Sequence, residues 1–126
     1  MQPHRILCDD ITYAEVAAAL GKAARLSLLA RDETHIALHV FRTQWPSLIR
    51  LQVTENVVSR AGTLAWEHSL RGFDAVHLSA ALLWQESIHD QVTFATLDRR
   101  RWQAAQAARL GVWAEDLESL LNSREP

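Results

Sequence analysis

Apolar residues recur along the chain with two periods. Val16, Leu20 and then Ala23 or Ala24 follow one another at helical spacing. Thr12 and Glu15 precede them at the spacing of a capping box, Thr12 as cap and Glu15 reaching back. A helix is therefore predicted from Thr12 to about Leu29. A second is expected from about Asp32 to Trp45, with Ile36, Ala37, Val40, Phe41 and Trp45 on its inner face and Pro46 ending it. Residues 49–53 alternate apolar and polar, the pattern of a strand with one exposed face. A third helix opens at Thr54 and Glu55, turning Val57 or Val58, Ala61, Leu64, Ala65 and His68 inward.

The next segment changes character. Gly72 reads as a helix end, because glycine tolerates a left-handed turn, and Asp74 as the cap of a new helix. Ala75, Val76, Leu78, Ala80, Ala81, Leu82, Leu83 and Trp84 then leave almost no polar side, which predicts a buried helix. Residues 92–97 form a β-branched and aromatic run, predicted to be a buried parallel strand. Asp98 follows at once. A helix is expected over residues 99–109, with Gly111 capping it and Val112 and Trp113 forming a last short strand. Residues 116–121 read as a final helical turn and 122–126 as a frayed tail. At the other end, residues 6–8 read as a short strand before the turn-forming Asp9 and Asp10.

Strands alternating with helices predict an α/β domain with a mostly parallel sheet. The chain of 126 residues reads as one domain. The carboxyl edge of such a sheet is its functional edge. Asp98 follows a strand, while Glu15 and Asp74 open helices, so all three acids are expected on one rim.

Composition excludes more than it selects. With 48% hydrophobic and 22% charged residues, it is that of an ordinary globular chain. A net charge of −2 offers no global argument for nucleic-acid binding. Cys8 is the single cysteine, and no Cys/His group has zinc spacing. No apolar run is long enough to span a membrane, and His4, Arg5, Asp9 and Asp10 do not fit a signal peptide. A cytoplasmic location is expected.

Each acid has a capping role open to it as well as a chemical one. Carboxylates gathered on one rim repel one another, and a cation relieves that repulsion. Oxygen-only ligands suit Mg²⁺ or Mn²⁺ rather than zinc, and such an ion can activate water and stabilise a phosphoryl transition state. Arg99, Arg100 and Arg101 directly follow Asp98. They could hold RNA phosphates or form a solvated first turn, although cations there oppose the helix dipole. His77, one turn after Asp74, reads first as a core histidine and second as a general base. Trp45, Trp84 and Trp113 read as core, and Trp102 as either core or surface.

Residues 70–81, Leu-Arg-Gly-Phe-Asp-Ala-Val-His-Leu-Ser-Ala-Ala, resemble the helix signature of the PIN-domain ribonucleases, especially the VapC-type toxins of bacterial toxin–antitoxin pairs. Residues 92–100, with Thr96 and Asp98, resemble the strand-then-acid segment of that family; 105–112 resemble its last helix and strand, and 12–16 its glutamate helix. The resemblance implies a PIN-like three-layer domain and a Mg²⁺- or Mn²⁺-dependent endoribonuclease. It implies metal ligation by Asp74 and Asp98, water or a second ion oriented by Glu15, and support from Thr96. An RNA substrate and a cognate antitoxin are the implied partners.

The family's first strand, its terminal aspartate and the helix after it have no counterpart in this sequence. Weak metal binding is therefore expected, as is a sheet with a gap or with two unusually apolar edges that invite pairing with another chain, along with homodimer formation and no membrane partner. A truncated reading frame is the first explanation and a degraded copy the second. The alternative function is a catalytically dead remnant that binds an antitoxin or a sister subunit.

Overall fold

The computed structural model describes residues 7–123. The chain divides into two compact units at the Gln52–Val53 boundary.

In the first unit, β1 (Leu7–Asp9) pairs in parallel with β2 (Ile49–Leu51), Cys8 opposite Arg50. Between them lie α1 (Thr12–Arg25), α2 (Arg31–Gln44) and a short 3-10 turn, Trp45–Ser47, that contains Pro46. Ile6, expected in the first strand, lies outside the described residues. Thr12 is not a cap: α1 has Ile11 at that position, with no side-chain hydrogen bond. Asp9 organises the entry instead, its Oδ1 accepting the Ile11 N–H at 2.9 Å. That aspartate turn draws the chain into the helix a residue early and leaves Thr12 already helical.

Helix α1 ends at Arg25 rather than near Leu29, and Ser27 takes a left-handed φ of 55°. Tyr13, Phe41 and Trp45 form an aromatic cluster with ring centroids 5.1 to 5.8 Å apart, and Arg50 stacks over Trp45. Ile36 and Val40 of α2, expected on its inner face, are exposed. The aromatic cluster sets which side of α2 turns inward, so helical spacing alone misassigned them. Burial, and then the Asp9 carboxylate, pushes the Cys8 thiol above its ordinary range, which makes it a poor nucleophile.

The second unit holds a larger core. It comprises α3 (Glu55–His68), α4 (Gly72–Ile88), β3 (Thr93–Ala95), α5 (Arg99–Ala107), β4 (Gly111–Trp113) and α6 (Leu117–Asn122). Thr54 caps α3 by accepting the Val57 N–H. Ala61 and Leu64 of α3 pack with Ala75, Leu78 and Leu82 of α4 and with Ala104 and Ala105 of α5. Leu78 is 1% exposed, so trimming it to alanine should cost about 2–5 kcal/mol. The fully buried Ser79 hydroxyl donates to the Val57 carbonyl at 2.8 Å, a polar tie between α3 and α4.

Strands β3 and β4 are parallel, Phe94 opposite Val112, so both strand pairs among the described residues are parallel and the fold is α/β. The Gln85 side chain clamps this ladder, accepting the Val92 N–H and donating to the Arg109 carbonyl. Strand β3 is shorter than residues 92–97, and Thr93 and Ala95 are exposed, so it is not buried on both faces. With a single hydrogen-bonded neighbour among the described residues, the strand lacks the flanking layers that full burial needs.

Gly111 does not cap α5. Arg109 takes the left-handed turn, with φ 67°, and Gly111 opens β4. A Cβ there would meet Thr93 Oγ1 at 3.1 Å, so glycine serves the close approach of the two strands. Trp113 is 52% exposed rather than core. Asn122, expected in a frayed tail, is the last residue of α6, and residues 124–126 lie outside the described set.

Candidate functional site

Asp74 is the third residue of α4 and not its cap. Arg71 holds the cap position with extended backbone and makes no side-chain cap bond. Nor does Gly72 end α3: Ser69 takes the left-handed conformation there, with φ 52°, so Gly72 already belongs to α4. The capping role for Asp74 is thereby removed. Its carboxylate lies in the first turn, where the helix dipole favours a negative charge.

Asp98 does cap its helix. Its Oδ1 accepts the Arg101 N–H at 3.0 Å. A run of hydrogen bonds fixes the residue from behind: the Thr96 N–H donates to the Trp113 carbonyl at 3.1 Å, and the Asp98 N–H donates to Thr96 Oγ1 at 3.1 Å. Thr96 is buried. The register of β3 against β4 thus sets where Asp98 stands.

The two aspartates meet at Arg101. Its Nε lies 3.5 Å from Asp74 Oδ1 and 3.9 Å from Asp98 Oδ1. That nitrogen is buried and has no hydrogen-bond partner, since both approaches are too long to count as hydrogen bonds. A buried donor left unsatisfied costs roughly 1–3 kcal/mol, so charge rather than bonding holds the guanidinium there.

The three arginines do not act as one patch. Arg99 pairs with Glu118, Nη2 donating to Oε2 at 3.0 Å, and both side chains are more than half exposed, so the pair adds little stability. Arg100 is exposed, and Arg101 turns to the aspartates. Pairing of Arg101 with Asp74 escaped the sequence reading. The usable signal was a cation in the first turn of α5, where the dipole disfavours it.

Glu15 belongs to the first unit, as a half-buried acid in the first turn of α1. His77 is half-buried on α4. Among the described residues no group of three or more His, Cys, Asp or Glu gathers to hold a metal ion. The second unit offers instead a pair of carboxylates facing one point. That point already carries a positive nitrogen, so its electrostatics suit a cation. Hard divalent ions that keep most of their water take one or two protein carboxylates, so the donor set fits Mg²⁺ or Mn²⁺.

No protein-family model matches the chain. It is 38% identical over 103 residues to Ribonuclease VapC45 of Mycobacterium tuberculosis (strain CDC 1551 / Oshkosh), an alignment covering 81% of this chain and 69% of the relative. Ribonuclease VapC49 of Mycobacterium tuberculosis (strain ATCC 25618 / H37Rv) matches with the same identity and coverage. The chain belongs to the VapC family. That membership agrees with the PIN-like α/β fold and with the resemblance carried by residues 70–81 and 92–100. Among the described residues no helix is long and apolar enough to cross a membrane.

Proposed function

We propose that this chain is a divalent-cation-dependent endoribonuclease, the toxin of a toxin–antitoxin pair acting in the cytoplasm. The observation that carries the reading is the convergence of Asp74 and Asp98 on the Arg101 nitrogen in a VapC-family chain. Asp74 and Asp98 are the residues that would hold Mg²⁺ or Mn²⁺. When bound, such an ion supplies a nucleophilic water and charge stabilisation for phosphoryl transfer.

The chain's own residues do the rest. Thr96 fixes the Asp98 backbone, and the helix N-terminus of α4 steadies the Asp74 charge. Glu15 orients water or a second ion; the resemblance of residues 12–16 to the family's glutamate helix supports this role. Of the arginines after Asp98, the exposed Arg100 supplies positive charge for RNA phosphates, since Arg99 is paired with Glu118 and Arg101 faces the aspartates. An antitoxin peptide and a second copy of the chain complete the partners.

The test is cleavage of RNA by the purified chain with Mn²⁺. Cleavage that chelation stops, and that D74N, D98N and E15Q each abolish, is the expected result. No cleavage alongside tight antitoxin binding would overturn it in favour of the non-cutting remnant.

A further inference from the structure

Arg101 stands where the proposed cation would act. Its Nε faces both carboxylates, is cut off from solvent and makes no hydrogen bond. We propose that Arg101 is a displaceable internal cation: it neutralises Asp74 and Asp98 in the metal-free chain and must swing away before the pair takes a divalent ion. This inference rests on the metal-site reading above and adds a self-competing residue to it.

Four features make Arg101 a plug rather than a permanent strut. The contacts at 3.5 and 3.9 Å are held by charge, without the short bidentate bonds that clamp an arginine to a carboxylate. The residue lies in the first turn of α5, so the helix dipole pushes its charge outward. Its side chain is one-third exposed, which leaves the guanidinium a route to water. Finally, Asp98 Oδ1 is fixed by the Arg101 backbone N–H rather than by the side chain. The side chain can therefore leave while Asp98 stays in place.

The consequence is a site whose metal affinity is lowered by its own neighbour. A divalent ion competes with a tethered positive charge, and the displaced guanidinium then points to solvent. Without metal the same contact prevents two carboxylates from facing each other uncompensated.

The experiment measures binding of Mn²⁺ alone to the full chain by calorimetry, with melting curves in chelator and in Mn²⁺. R101M and R101Q should bind Mn²⁺ roughly tenfold more tightly than the wild type, equivalent to about 1.4 kcal/mol. R101K keeps the charge and should bind near the wild-type level. In chelator the neutral variants should melt lower than the wild type, and Mn²⁺ should raise their melting temperature by more. If R101M and R101Q bind Mn²⁺ no better than the wild type while D74N abolishes binding, the plug is disproved and the metal site stands. If the neutral variants bind no Mn²⁺ at all, or if D74N binds as the wild type does, the metal-site reading falls and takes the plug with it.

Discussion

The Thr96 hydroxyl accepts the Asp98 N–H at 3.1 Å, two residues ahead of it in the chain, where β3 gives way to α5. This bond converts strand register into the position of a carboxylate. Substituting T96V removes the acceptor and leaves the amide unpaired. It should cost about 0.5–1.5 kcal/mol in urea melts and lower Mn²⁺-dependent cleavage, while T96S keeps both near wild type. A T96V protein with unchanged cleavage would show that Asp98 needs no such support.

Asp98 has two separable roles, which asparagine and alanine distinguish. Asparagine caps a helix about as well as aspartate but carries no charge. D98N should therefore keep its stability within about 0.5 kcal/mol and lose cleavage, whereas D98A should lose cleavage and about 1 kcal/mol. Since Asp74 caps nothing, the same pair of substitutions there should not separate in this way. Denaturant midpoints for the four variants decide the matter.

Ser69 carries the left-handed turn that glycine was expected to carry at position 72. An L-residue in that region is strained by roughly 1–2 kcal/mol, and glycine's extra unfolded-state freedom costs back about 0.5–1. S69G should therefore stabilise the chain by about 0.5–1 kcal/mol, read as a higher urea midpoint with an unchanged slope. G72A should also stabilise the chain, by about 0.4–1 kcal/mol, because a Cβ at Gly72 meets nothing within 4 Å and alanine has less freedom to lose on folding.

Arg60 of α3 and Glu86 of α4 pair at 2.7 Å. Hydrogen bonding from Arg60 holds the Glu86 carboxyl below its ordinary value of 4.5. A depressed carboxylate stabilises the fold fully above that value, and the contribution is lost as pH falls through the lowered pKa. Glu86 is more than half exposed, so solvent screening limits the pair to at most about 0.5–1 kcal/mol. E86Q should lower stability by that amount at pH 7 and by nothing at acid pH, as acid and neutral melts would report. A deficit independent of pH would assign the contact to packing.

The helices were legible in the sequence wherever an apolar stripe was long and local caps agreed with it. Thr54 and Asp98 cap as their residue types predict, and Ala61, Leu64, Ala75 and Leu78 are buried at the spacings that marked them. Turn residues were less legible. Ser69 and Arg109 took left-handed positions assigned to Gly72 and Gly111, and Asp9 displaced Thr12 from the entry of α1. Each alternative is allowed locally and differs by about a kilocalorie per mole, so the packing of neighbouring elements chose between them. Ile36, Val40 and Trp113 show the converse, apolar residues whose exposure no periodicity announced.

By itself the sequence determined an α/β chain with a buried α4, an acid at the head of that helix and another after β3, and the likeness to VapC ribonucleases. Those are properties of short windows, where hydrophobic period and backbone preference act on adjacent residues. Only the tertiary structure decided that Asp74 is freed from capping, that Thr96 is tied to β4, and that Arg101 faces both aspartates. The Thr96–Trp113 and Arg101–Asp74 pairings join residues far apart in the chain. They follow from how α4, α5 and the β3–β4 ladder pack around Ala75, Leu78 and Ala105, a non-local balance that one-dimensional spacing does not encode.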